Sequence, residues 1–136
     1  MARIAREIKF RFVLENKCTG KIGFLFYSLV ELMNLGCHPV NQKDWLILSE
    51  DRYTGLKDKN GKEIYEGDVL TENYRDTKQR KSLVEYDTIN PCFVLKRIDK
   101  KYNHIDYEYD FVQCNILELE VIGNIYENPE LVDNEK

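Results

Sequence analysis

Alternation is the first pattern in the chain. In Glu7-Ile8-Lys9-Phe10-Arg11-Phe12-Val13-Leu14 the apolar side chains Ile8, Phe10, Phe12 and Leu14 fall on one side. Glu7, Lys9 and Arg11 fall on the other, and a period of two predicts a half-buried β-strand with a solvated charged face. Asn16 to Gly20 reads as a turn, and Ile22 to Phe26 as a strand pairing back. The period then changes. Leu25, Leu29, Leu32 and Met33 recur at helical spacing, Ser28 and Glu31 have capping-box spacing, and Gly36 supplies a stop. A short helix from Leu29 to Leu35 is expected, its apolar stripe turned to the core.

Further on, Trp45 to Leu48 suits a buried strand. Asn60-Gly61 predicts a hairpin with a type I′ turn, and Glu66-Gly67-Asp68 a second turn that launches a strand at Val69. Leu83 to Tyr86, Phe93 to Ile98, Tyr107 to Val112 and Leu119 to Ile125 are further strands, spaced as in a small barrel or coiled antiparallel sheet. From Asn128 onward the chain reads as frayed. The expected fold class is α+β, mainly antiparallel β. It is one domain over 1–136, with an N-terminal strand and helix in 1–50 packed on a β-barrel in 51–127.

Composition narrows the class. The 136 residues are 43% hydrophobic and 12% aromatic, which argues for a packed interior. No apolar run approaches the roughly 20 residues that span a bilayer. The first seven residues hold no apolar core of signal-peptide length, so a cytoplasmic protein is expected. Cys18, Cys37, Cys92 and Cys114 form no C-x-x-C pair, and His38 and His104 are far apart. The expectation is reduced, buried thiols with no metal and no cofactor.

The net charge of −4 is uneven, because residues 106–136 hold nine acidic groups and one basic group. Bases gather at Arg75, Lys78, Arg80 and Lys81, and again at Lys96, Arg97, Lys100 and Lys101. Read as hairpin loops, both clusters are solvated, or they are phosphate contacts for a nucleic acid. Tyr107, Tyr109 and Phe111 share one strand face and read as core. Asp106, Glu108 and Asp110 line the other face, where they would repel a phosphate backbone.

Motifs for nucleophilic catalysis, zinc hydrolysis and phosphate loops are missing, so an enzyme is not expected. Carboxylates for acid–base work would come from Glu66, Asp68, Glu118 and Glu120, but at Glu66 and Asp68 capping of turn amides is the simpler role.

Three segments together resemble the YopX family of phage and prophage proteins. They are Arg6 to Arg11, Tyr53-Thr54-Gly55-Leu56-Lys57-Asp58-Lys59-Asn60-Gly61-Lys62-Glu63-Ile64-Tyr65-Glu66-Gly67-Asp68-Val69, and Val121-Ile122-Gly123-Asn124-Ile125-Tyr126-Glu127-Asn128-Pro129-Glu130-Leu131. The resemblance implies a mainly β fold with a small SH3-like barrel in the C-terminal part, encoded by a phage or prophage. It carries over no catalytic residues.

The resulting functional expectation is a non-enzymatic binding module for a host or phage protein, with a homo-oligomer as a second partner type. The alternative is a nucleic-acid-binding barrel using loops 75–81 and 96–101. Tyr65, Glu66, Asp68, Tyr126 and Glu127 are expected to form one partly exposed patch, because the turns that carry them should lie on neighbouring strands.

Overall fold

The computed structural model describes residues 7–74, 78–89, 91–98, 108–110 and 119–132; at 72–74, 78–80, 97 and 108–110 it describes the backbone alone. The strands are β1 (Lys9–Asn16), β2 (Ile22–Ser28), β3 (Trp45–Lys57), β4 (Glu63–Tyr65), β5 (Asp68–Tyr74), β6 (Lys78–Asp87), β7 (Cys92–Arg97), β8 (Glu108–Asp110) and β9 (Leu119–Asn124). One helix, α1 (Leu29–Met33), and a 3-10 turn at Pro129–Leu131 complete them. Hydrogen bonding orders the strands β2-β1-β3-β4 and β8-β7-β6-β5-β9. The chain divides into two compact units, Met1–Gly55 and Leu56–Lys136.

In the first unit β1 lies between β2 and β3, antiparallel to both. The alternation read from the sequence places Phe12 and Leu14 in a core with Val40, against which Phe10, Leu25, Tyr27, Leu32, Trp45 and Ile47 pack. Phe12 and Tyr27 meet edge to face at 6.1 Å, the arrangement that aromatic quadrupoles favour.

The opposite face of β1 corrects the sequence reading. Arg11 and Val13 are both buried. Register sets Arg11 beside Asp51. Its Nε and Nη2 donate to Asp51 Oδ2 at 3.2 and 2.8 Å. The Ser49 hydroxyl donates to Asp51 Oδ1 at 2.7 Å, and the guanidinium lies 5.4 Å from the Phe24 ring centre. A buried charge is tolerable only when paired and hydrogen-bonded in this way.

The expected helix forms but is shorter. Glu31 N–H donates to Ser28 Oγ and Ser28 N–H donates to Glu31 Oε1, a complete capping box. Leu32 packs on the core while Leu29, Val30 and Met33 are exposed, so the stripe is not turned to the core as a whole. Five residues make barely more than one turn, too few to bury a full face. Trp45 to Leu48 is likewise half-exposed, because β3 alternates: Trp45 and Ile47 face inward, Leu46 and Leu48 outward.

The second unit has its own core of Ile64, Leu70, Val84, Leu95 and Leu119, with Leu56 and Val121 packed on it. Its strands pair antiparallel, β5 with β6 and β9, β6 with β7, and β7 with β8. Among the described residues this sheet is open and no SH3-like barrel closes. One reason is visible at β9. Its outer edge is taken up by the 58–62 loop, with Lys59 N–H on Leu119 C=O at 2.9 Å and Val121 N–H on the Asp58 carboxylate. Helix α1 packs on β2 and the core of its own unit.

From Asn128 to Val132 the chain is not frayed. Asn128 N–H donates to Asn124 C=O, Asn128 Oδ1 accepts from Asn124 N–H, and Pro129–Leu131 forms a 3-10 turn.

Candidate functional site: three capped turns

Asp58 organises the first turn. The loop joining β3 to β4 runs over 58–62, longer than the two-residue turn expected at Asn60-Gly61. Gly61 N–H bonds Asp58 C=O, and Gly61 takes φ 83° before Asp58 N–H closes on Lys62 C=O at 2.8 Å. That is a turn ending in a left-handed residue, where glycine pays no Cβ penalty. The Asp58 carboxylate binds both the loop and the sheet. Oδ1 accepts from the Asn60 and Lys62 amides at 2.8 and 2.9 Å, and Oδ2 accepts from the Val121 amide at 2.9 Å. Burial by itself raises the pKa of this carboxyl. The donations from Val121, Lys62 and Asn60, with the Lys62 charge, outweigh that and hold it below the ordinary aspartate value.

The second turn spans Tyr65 to Asp68. Gly67 adopts φ 86°, its N–H donates to Val84 C=O, and its own C=O accepts from Ile125 N–H at 3.0 Å. Asp68 Oδ2 accepts from Tyr65 N–H at 2.9 Å, the turn-capping role expected for it.

Asn124 builds the third turn. It sits in register with Asp68, and its Oδ1 accepts from the Tyr126 and Glu127 amides at 3.0 and 2.8 Å. Its Nδ2 donates to Glu127 Oε1 at 3.1 Å. An asparagine gripping the two amides ahead of it is an Asx turn, which that side chain's length makes possible.

These bonds bring together segments about 60 positions apart, as the sequence led us to expect. The five patch residues do not all face outward, however. Tyr65 and Asp68 are 3% and 2% exposed, and the Tyr65 hydroxyl donates to Glu63 Oε1 at 2.9 Å. Both are withdrawn from any partly exposed patch, because their polar atoms are engaged in building the turn. Glu66 and Tyr126 are half-buried and Glu127 is exposed. Beside the first turn, Lys59 Nζ stands 3.5 Å from Glu120 Oε1 on the surface. Asp58 and Asn124 carry the geometry although neither stood among the candidate residues. The Asp-x-Asn-Gly spacing of an Asx turn was the available signal.

The basic residues do not form loops where the structure describes them. Lys78, Arg80 and Lys81 are in β6, and Lys96 and Arg97 are in β7. Pairing of β6 with β5 carries the strand through Lys78, Arg80 and Lys81, and pairing of β6 with β7 carries β7 through Lys96 and Arg97. Arg75, Lys100 and Lys101 lie outside the described residues, as do Tyr107, Phe111, Asp106, Glu118, His104 and Cys114. Cys18 and Cys37 are exposed free thiols and Cys92 is half-buried, not the buried set expected. Among the described residues no three His, Cys, Asp or Glu side chains are grouped to hold a metal ion, and no helix is long and apolar enough to cross a membrane.

The chain is similar over 93% of its length to the crystal structure of protein EF1440 from Enterococcus faecalis, at 24% identity, 98% coverage of that chain and a TM-score of 0.46. No curated protein matches the sequence. The YopX protein family matches residues 32–133, which include the Asp58, Gly67 and Asn124 turns and three quarters of the sequence. The chain belongs to the YopX protein family.

Proposed function

We propose that this YopX protein is a non-enzymatic binding module of a bacteriophage or prophage, acting in the host cytoplasm on a host or phage protein. The observation that carries the reading is the turn cluster. Buried caps at Asp68 and Asn124 fix two neighbouring turns, Asp58 ties its loop to the same strand β9, and Glu66, Tyr126 and Glu127 are left at or near the surface. A polar surface already held in one conformation loses little entropy on binding. A half-buried tyrosine among acidic groups suits a basic segment of a protein partner.

The test compares proteins captured from bacterial lysate by the full chain and by the triple variant Glu66→Ala, Tyr126→Ala, Glu127→Ala. A partner retained by the wild type and by Glu50→Ala, yet lost with the triple variant, supports the reading. Identical capture by all three refutes it.

Nucleic-acid binding is the second reading. It is favoured by one observation: the pairing of β6 with β7 sets Lys96 and Arg97 opposite Leu83 and Ser82, two positions and one position from Lys81. Both basic clusters thus share one stretch of sheet. Fluorescence anisotropy with labelled DNA and RNA tests it, since phosphate contacts must weaken steeply with salt. Binding insensitive to salt, or unchanged by Lys81→Glu with Lys96→Glu, refutes it.

A further inference from the structure

Asn60 is the only asparagine in the chain that is followed by glycine, and both residues of the pair are exposed in the 58–62 loop. Adjacent asparagine and glycine carry a reaction of their own. The backbone nitrogen after an asparagine can reach that side chain's Cγ and close a five-membered ring. Any other residue in second place brings a Cβ beside the nitrogen and slows the closure. At Gly61 nothing lies within 4 Å of the point where a Cβ would stand, so the ring closes in open space.

The loop restrains that nitrogen. Gly61 N–H donates to Asp58 C=O at 3.0 Å. The Asn60 and Lys62 amides on either side both donate to Asp58 Oδ1, at 2.8 and 2.9 Å. One aspartate thus holds the loop in a single conformation, and the Gly61 nitrogen must leave its bond before it can turn on Cγ. Opening an exposed loop costs less than unfolding the domain, so the clamp slows the reaction without abolishing it. Asn60 Nδ2 stands 3.5 Å from Glu120 Oε2 on β9.

We propose that Asn60 is a self-modification site, converting to aspartate and isoaspartate at a rate set by Asp58. The deprotonated Gly61 nitrogen attacks Asn60 Cγ. The N–Cγ bond forms, the Cγ–Nδ2 bond breaks, and Nδ2 leaves as ammonia. Water then opens the succinimide. Attack at Cγ gives aspartate, and attack at the backbone carbonyl gives isoaspartate. The overall change is amide plus water to carboxylic acid plus ammonia, with nothing oxidised or reduced. Aspartate puts a carboxylate where an NH2 group faced Glu120, so attraction there becomes like-charge repulsion. Isoaspartate lengthens the backbone between residues 60 and 61 by one carbon, and the closure of Asp58 N–H on Lys62 C=O no longer fits. The loop that covers the outer edge of β9 is thereby loosened as the protein ages. The site makes no use of Glu66, Tyr126 or Glu127 and does not rest on their proposed role.

The full chain, held in mildly alkaline buffer and sampled over days, tests this by peptide mass mapping and enzymatic methylation of isoaspartate. Asn60 is expected to show amide-to-acid exchange in the native wild type, more slowly than in the same chain unfolded in urea. Folded Asp58→Ala should convert roughly tenfold faster than the native wild type, because the two loop bonds to Oδ1 are gone. Gly67→Ala strains a neighbouring turn but leaves the clamp intact, and should convert at the wild-type rate. If Asp58→Ala loses the fold, Asp58→Asn decides, with a smaller acceleration. An Asn60 that stays intact in the native wild type overturns the proposal. Equal rates in the wild type and the folded Asp58 variant overturn it too, as does an equal acceleration by Gly67→Ala.

Discussion

Replacing Asp58 by alanine should cost far more than an ordinary surface change, although the residue sits in a loop. The carboxylate serves three backbone amides at 2.8 to 2.9 Å. The Val121 amide belongs to a strand whose outer edge is covered by the loop itself, and orphaning it costs about 1.5–3 kcal/mol. The Asn60 and Lys62 amides are near water and lose about 0.5–1 kcal/mol each. The sum is about 2.5–5 kcal/mol, a large share of a typical domain's stability. With a urea m-value of about 1.5 kcal/mol per molar, the unfolding midpoint falls by roughly 2–3 M with m unchanged. Asp58→Asn should lose about half as much, because one amide oxygen still accepts while its NH2 meets another N–H donor. The acid limb provides a second readout. Since the folded-state pKa lies below the ordinary 3.8, the stability from this group is complete above 3.8 and is lost as pH falls through the folded value. Asp58→Asn should lack that component of acid unfolding. A loss under about 1 kcal/mol for Asp58→Ala would refute the account of Asp58 as the tie between loop and sheet.

Three further outcomes follow from the geometry. Asp51→Ala leaves the Arg11 guanidinium buried without its carboxylate and should cost about 3–5 kcal/mol in urea unfolding, whereas Arg11→Met with Asp51→Leu should recover most of it. Gly123→Ala places a methyl group against the Asn128 side-chain amide and 3.0 Å from Leu131 Cδ1. Thermal unfolding should show a loss of about 1–3 kcal/mol, as for other overpacked sites. Gly67→Ala forces a Cβ onto a backbone with φ 86° and should cost about 1–2 kcal/mol in urea unfolding, while Gly36→Ala, open on all sides, should cost little.

What the sequence determined by itself is what a few neighbouring residues can enforce. The two-residue period of β1 is written in adjacent residues, and the Ser28–Glu31 capping box and the turns at Gly61 and Gly67 each carry bonds spanning three or four positions; all appear where the sequence puts them. The family blocks are legible for the same reason, since they are largely turn chemistry. Whether a polar residue meets water or a partner is decided by which strand lies alongside, and that partner is distant in sequence. Arg11 looked solvated until Asp51, 40 positions away, came into register beside it. Asp58 resembled any polar loop residue until Val121, 63 positions away, offered its amide. The same dependence withdrew Tyr65 and Asp68 from the surface and moved the described basic residues from loops into strands. It also left the second sheet open among the described residues, because a loop occupies the edge of β9. Local patterns set the strands and turns of this YopX protein, and only the pairing of distant segments set which of their polar groups are available to a partner.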